Sequence, residues 1–180
     1  IMQLSPFDEF GRRILKMNTH SGPVDVVQGI TELTPDWAKV EGLTHVWDMR
    51  IATSSIPSSV LGNILQKQID PANVDHQKKV ARFYLQAERF SDARQALEAI
   101  LATAPDNAEL RAQLDPSIRA LRQMSAQRLL KELQLRRDAG QHRLVYARLE
   151  SFPSEDVAGE ILQAVREMMD EYGHIREEGK

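Results

Sequence analysis

The sequence predicts an all-α fold in which antiparallel helix pairs stack as a short superhelix. Apolar residues recur every three or four positions through most of the chain, as they do on the buried side of a helix. Serine, threonine, aspartate or proline precedes most of these segments, and such residues open helices. Asn-Gly and Asp-Gly, the pairs typical of tight hairpins, are both absent from the 180 residues. We therefore predict nine or ten helices and no sheet.

Three helices are expected in the first fifty residues. Ser5-Pro6 opens the first, Gly22-Pro23 the second and Thr34-Pro35 the third. The second would bury an apolar stripe formed by Val24, Val27, Ile30 and Leu33. The third would bury one formed by Trp37, Val40, Leu43, Val46 and Trp47. After a helix that begins near Val60, further helices are predicted at about 74–88, 91–103, 107–114, 117–139, 141–151 and 154–172.

Regularly spaced prolines indicate a repeat. Pro35, Pro71 and Pro105 are separated by 36 and 34 residues, and each follows an aliphatic helix end and precedes small polar residues. A fixed period of this length is typical of helical repeat proteins, in which each unit buries its apolar face against its neighbours.

The segment 74–107 carries the most specific pattern. Its first helix has a bulky residue, a small one and an aromatic, and its second has an aromatic, an alanine, a large residue and a closing proline: Val80, Ala81, Tyr84, Phe90, Ala93, Leu97 and Pro105. Small residues let two helix backbones approach closely, and proline ends a helix because it offers no amide. This pattern resembles the tetratricopeptide repeat, a helix–turn–helix unit of 34 residues.

Other parts of the chain resemble the repeat less closely. At the turn of the best unit, Glu88 stands where the family usually has glycine. A weak unit is predicted at 40–73 and a degenerate one at 126–153, where Gly140 suits the turn. A capping helix at 154–172 and an acidic tail at 173–180 would complete one helical repeat domain that spans residues 1–180.

The resemblance implies a function in protein or peptide binding. In the family, the first helix of each unit lines a concave groove, and cations there can bind the terminal carboxylate of a peptide. Lys78, Arg82 and Gln86 recur at every fourth position and share one helix face, so they are the candidate peptide-binding residues. The neighbouring unit would add Thr44 and Asp48, and Asp48 would repel an anion. The expected partner is a protein or an acidic peptide.

The sequence offers no set of residues for catalysis or for metal binding. It contains no cysteine, and none of its five histidines pairs with another at the spacing of a helical zinc site. Phosphate-loop and Gly-x-Ser-x-Gly patterns are also missing. We therefore expect no enzymatic activity, no metal and no cofactor. The chain is expected to be part of a larger polypeptide, and the alternative function is a helical accessory domain of an enzyme whose catalytic domain lies outside it.

Charge is unevenly distributed along the chain. Residues 76–150 hold 14 basic and 9 acidic side chains, whereas residues 151–180 hold 3 basic and 8 acidic ones. A basic middle raises the possibility of nucleic-acid binding, but the arginines of 117–139 surround the helix and few aromatic residues accompany them, which makes this partner the less favoured one. No apolar run is long enough to predict a membrane-spanning helix.

Overall fold

The computed structural model describes residues 3–178, with side chains described as far as residue 173. The chain forms two compact units, of which the first ends at Thr103 and the second begins at Ala104. Each unit is therefore described by itself.

The first unit opens with a five-stranded antiparallel sheet. Its strands follow chain order, so that each strand pairs with the next one: β1 (Gln3–Leu4), β2 (Arg12–Thr19), β3 (Gly22–Leu33), β4 (Trp37–Gly42) and β5 (Asp48–Ala52). One 3₁₀ turn (Thr53–Ser55) follows, and then three helices: α1 (Ser58–Lys67), α2 (Val74–Gln86) and α3 (Phe90–Thr103). The second unit contains α4 (Ala108–Asp138), α5 (His142–Glu150) and α6 (Gly159–Glu178).

The prediction of an all-α fold is wrong. The residues expected to form the first three helices form the strands of this sheet, so the domain predicted over residues 1–180 is not helical throughout. Five of the twelve residues of β3 are valine, isoleucine or threonine, and these β-branched side chains fit the pleated surface of a sheet.

A β-bulge explains why the third strand resembled a helix. Up to the bulge, Val26 and Ile30 lie on the buried side of the sheet, and Val27 lies on the other. The register shifts between Ile30 and Glu32, which returns Leu33 to the buried side. The resulting spacing of apolar residues imitates the three-residue period of a helix.

The predicted repeat unit at 40–73 fails in its first half. Residues 40–52 contain the end of β4, the following loop and β5, and only the second half contains a helix, α1. Pro35 does not separate two helix pairs, since it lies in the turn between β3 and β4. The hydroxyl of Thr34 accepts a hydrogen bond from the Trp37 amide there at 3.0 Å. The proline spacing of 36 residues is therefore a coincidence.

Helix α1 lies against the sheet. A Cβ built at Gly11 would be 2.9 Å from Cδ1 of Ile64 in α1 and 3.4 Å from Cδ1 of Ile30 in β3. Gly11 also has a φ of +75°, a conformation that favours glycine. Leu61 of α1 and Val40 of β4 are fully buried, and they belong to the core of the first unit.

The helix pair predicted at 74–88 and 91–103 is present as α2 and α3. Both begin and end within two residues of the prediction. Ala81 and Ala93, the two small residues expected at the helix contact, are 5% and 1% exposed. The two helices pack directly on each other.

We expect Ala93→Leu to lower the free energy of unfolding by about 1–3 kcal/mol, because three more heavy atoms have no space at this packed position. Urea denaturation measures the change. Ala102 is exposed on the same helix, so Ala102→Leu is the matched control and should change stability by less than about 0.5 kcal/mol. Equal effects of the two substitutions would show that Ala93 does not lie at a tight contact.

In the second unit, α4 is longer than predicted. The sequence indicated two helices separated near Pro116, but α4 continues through this residue over 31 positions. Proline removes one amide donor from the helix. One face of the helix nevertheless stays buried before and after the proline, with Leu114 preceding it and Ile118 following it.

The second unit has its own core between the end of α4, α5 and α6. Its fully buried members include Leu133 of α4 and Val145 of α5. Gly140 has a φ of +76° in the turn between these two helices, a conformation that favours glycine, and this turn lies in the segment predicted as a degenerate unit at 126–153. Helix α6 begins at Gly159, five residues later than the capping helix predicted at 154–172. Of the acidic tail, residues 174–180 lie outside the described side chains.

Candidate functional site

Helix α2 carries the three residues predicted to bind a peptide, and its start is well fixed. The Asn73 side chain accepts hydrogen bonds from the amides of Asp75 and His76, at 2.9 and 3.2 Å. Such a cap satisfies amides that have no partner within the helix. Side chains on the first turns of α2 therefore project from an ordered backbone.

The two sides of α2 differ sharply. Val80, Ala81 and Tyr84 are buried. Arg82 and Gln86 are exposed on the other side, and Lys78 beside them is half-buried. The structure thus places all three predicted residues on one side of one helix, opposite the packed side, as the spacing of four predicts.

This outward side is suited to an anion. Lys78, Lys79 and Arg82 are basic, and Asp75 is the only acidic residue of α2. The side chains of Arg82 and Gln86 form no hydrogen bond or ion pair with other residues in the described part of the chain. The N–H groups of these two side chains can therefore donate to a ligand without first breaking an internal contact.

The neighbouring groups expected from the resemblance are not in a helix. Thr44 lies in the loop between β4 and β5, and Asp48 begins β5. The predicted contribution of a preceding repeat at these positions is therefore wrong. The candidate peptide-binding site therefore consists of Lys78, Arg82 and Gln86, without Thr44 and Asp48.

The turn after α2 has Glu88 where the family usually has glycine, and the backbone there adopts a conformation that glycine favours. Glu88 has a φ of +53°, in the left-handed region that glycine favours. The amide of Arg89 donates to the Tyr84 carbonyl at 2.8 Å, and the amide of Glu88 donates to the Leu85 carbonyl at 3.1 Å. This pair of hydrogen bonds is the Schellman motif, which closes the C-terminus of a helix.

A cleft of about 340 Å³ lies where α1, α2 and α3 meet, and it is lined by Ser58, Ser59, Gln66, Val80, Tyr84, Asp92, Gln95 and Ala96. Gly62 of α1 leaves room for the Tyr84 hydroxyl, which would be 3.4 Å from a Cβ at this position. Burial raises the pKa of Tyr84, the Asp92 carboxylate raises it further, and Arg89 lowers it. The hydroxyl therefore stays protonated and neutral at physiological pH.

Arg89 joins this helical segment to the sheet, which the sequence did not predict. Its guanidinium donates to the carbonyl of Ile56 at 2.8 Å, to that of Thr53 at 3.3 Å and to the Ser58 hydroxyl. It also pairs with Asp92 of α3 at 2.6 Å. The Arg89 guanidinium therefore links the end of the sheet, the start of α1 and the start of α3.

Comparison with known families identifies the helical segment. Residues 59–114 match the model of the tetratricopeptide repeat. This segment is a tetratricopeptide-like repeat. The match confirms the resemblance seen at 74–107 and begins one helix earlier, in α1. No curated protein and no solved structure matches the chain.

Three arginines of the basic middle, Arg122, Arg136 and Arg137, have acidic partners within the second unit. Arg122 pairs with Glu155 and Asp156, at 2.7 and 2.8 Å. Arg137 of α4 pairs with Glu171 of α6 at 3.1 Å. The acidic residues after position 150 thus neutralise part of the basic surplus, which weakens the argument for a nucleic-acid partner.

The residues that the structure describes include no helix that is both long and apolar enough to cross a membrane. They also contain no group of three or more histidine, aspartate or glutamate side chains arranged to hold a metal ion.

Proposed function

We propose that this chain is a non-catalytic module that binds a protein partner, and that an acidic segment or a terminal carboxylate of the partner lies on the outward side of α2. The observation that carries the proposal is the tetratricopeptide-like segment 59–114, because repeats of this family serve protein–protein interaction. Lys78, Arg82 and Gln86 supply the donors.

The physical basis is a set of donors held on an ordered helix. Hydrogen bonds between a guanidinium or ammonium and a carboxylate are shorter and stronger than neutral ones. Each is worth about 1.5–3 kcal/mol when water is excluded, and about 1 kcal/mol or less when the pair stays wet. Since Arg82 is exposed, we expect its contribution to depend strongly on salt.

The test uses the full chain and a fluorescein-labelled pentaglutamate peptide with a free C-terminus. We expect Lys78→Ala with Arg82→Ala to weaken binding at low salt about tenfold, as measured by fluorescence anisotropy. Arg82 is exposed and Lys78 lies outside the core, so the melting temperature should change little. The same peptide with an amidated C-terminus shows how much of the affinity depends on the terminal carboxylate.

A matched control removes the same charges elsewhere. Arg119 and Lys131 are exposed on α4, so Arg119→Ala with Lys131→Ala should weaken binding less than twofold. If both double variants lose affinity equally, the peptide responds to net charge and not to α2. Absence of binding by the unmodified chain at millimolar peptide would rule out the acidic-peptide proposal.

A further inference from the structure

Strand β5 is the last strand of the sheet, and its outer edge is exposed. In the described residues, β5 pairs with β4 alone. Asp48, Met49, Arg50 and Ala52 are all exposed. An unpaired edge presents backbone N–H and C=O groups to which another strand can pair.

The hydrogen-bond pattern shows which backbone groups point outward. The Gly42 amide donates to the Trp47 carbonyl at 2.7 Å, and the Thr53 amide donates to the Asp36 carbonyl at 3.1 Å. In an antiparallel pair, hydrogen-bonded positions alternate with positions that face away. Asp48 and Arg50 lie at the alternate positions, so their N–H and C=O groups face the open edge.

The charges of this edge are complementary to a copy of itself. Asp48 and Arg50 are two positions apart, so their side chains lie on the same side of the sheet. An antiparallel pairing of two β5 strands centred on Met49 places each Asp48 opposite Arg50 of the second copy. Pairing centred on Arg50 would instead place two arginines opposite each other, and like charges in that position destabilise a pair of strands.

We propose that two copies of this chain associate through their β5 edges, in the antiparallel register centred on Met49. In this register Asp48 and Arg50 form two hydrogen-bonded backbone pairs across the interface, and each pair also joins opposite charges. The two Met49 side chains, each 37% exposed in one copy, come to lie against each other. Val46 is the most exposed large apolar side chain described, and the same register brings it opposite Ala52 of the second copy.

The interface would be small. Stable complexes usually bury about 1,200–2,000 Å², and one pair of five-residue strands buries less. We therefore expect a dimer that forms and dissociates with concentration. Sedimentation velocity of the full chain from about 10 μM to 1 mM should show the weight-average mass rise towards twice that of one chain. A constant monomer mass over this range overturns the proposal.

The first pair of variants tests the edge itself. Arg50→Pro removes an amide that faces away from β4, so it blocks the second copy and leaves the pairing with β4 intact. Arg50→Ala keeps the amide and removes the same side chain, including its contact with the Trp37 ring at 4.2 Å. We expect Arg50→Pro to weaken association at least tenfold more than Arg50→Ala does. Equal effects would place the interface elsewhere.

The second pair of variants tests the register. Asp48→Arg places like positive charges across the interface, and Arg50→Asp places like negative charges there, so each variant alone should be monomeric. An equimolar mixture of the two should regain the dimer, because the register centred on Met49 then joins opposite charges only. Circular dichroism checks that both variants are folded. If each variant dimerises alone, or if the mixture stays monomeric, another register or another partner occupies the edge.

Discussion

Arg89→Ala should lower the free energy of unfolding by about 2–4 kcal/mol, an effect far larger than that of an ordinary surface arginine. The Arg89 side chain is only 12% exposed, and its partner Asp92 is 16% exposed. Removal of the guanidinium takes the cation from the partly buried Asp92 carboxylate, which keeps the Ser58 hydroxyl as a donor at 3.1 Å. It also takes one donor from each of the Thr53 and Ile56 carbonyls. A buried polar group that loses its hydrogen-bond partner lowers the free energy of unfolding by more than the net contribution of the hydrogen bond.

The consequence should reach beyond α3. Arg89 binds the carbonyls of Thr53 and Ile56, which lie where the sheet ends and α1 approaches. Both tryptophans of the chain, Trp37 and Trp47, belong to the sheet and its loop. Tryptophan fluorescence during urea denaturation therefore reports on the unit that contains Arg89. We expect the transition of Arg89→Ala at lower urea.

Arg94 of α3, five residues after Arg89, provides the control. It pairs with Glu98 at 2.9 Å, but both side chains are about one-third exposed. Such a pair contributes about 0.3–0.5 kcal/mol, so Arg94→Ala should shift the transition only slightly. Arg89→Ala and Arg94→Ala transitions that coincide would show that the Arg89 contacts do not hold the sheet and the helices together.

The helices after position 57 were predictable because local signals agree there. In α2, an asparagine cap precedes the helix, and the buried Val80, Ala81 and Tyr84 follow the period of 3.6. The outward position of Lys78, Arg82 and Gln86 followed from the same period. The side of a helix on which a residue lies depends on its spacing from the core residues, and a sequence states that spacing directly.

The sheet was missed because two of its features conceal the alternation of a strand. The bulge after Ile30 changes the period of β3, and the turn between β2 and β3 contains His20-Ser21 followed by Gly22 in place of Asn-Gly or Asp-Gly. Gly22 has a φ of +113°, which identifies it as a turn residue only once the backbone is known. β-branched residues at 24–31 were the available signal, and the prolines that imitate helix starts outweighed it.

The contacts of Arg89 with the segment before α1 could not be predicted from the spacing of residues along the chain. Its acceptors Thr53 and Ile56 are more than thirty residues earlier in the chain, in the segment that was predicted to be a weak repeat unit at 40–73. Contacts of this kind depend on where the sheet places the chain before α1. Because the first fifty residues were predicted to form helices, the positions of Thr53 and Ile56 relative to Arg89 could not be predicted.

In the second unit, Leu133→Ala should lower the free energy of unfolding by about 2–5 kcal/mol, because it removes a fully buried side chain and leaves a cavity. Leu133 is 1% exposed, and Val145 and Leu149 of α5 are 0% and 2% exposed in the same core. Leu135 stands two positions later on α4 and is 63% exposed. Leu135→Ala removes the same atoms from the solvent side, so it should change stability by less than about 0.5 kcal/mol.

Urea denaturation followed by circular dichroism measures both variants, and hydrogen exchange of the α5 amides shows where stability is lost. Exchange should accelerate in α5 for Leu133→Ala and stay unchanged for Leu135→Ala, since only Leu133 belongs to the core that holds α5. Tryptophan fluorescence in the same titration follows the first unit. A tryptophan transition that moves together with the circular dichroism transition would show that the two units unfold as one, and a stationary one would show that they unfold separately. Equal losses for Leu133→Ala and Leu135→Ala would contradict the packing of α4 against α5 and α6 through this side.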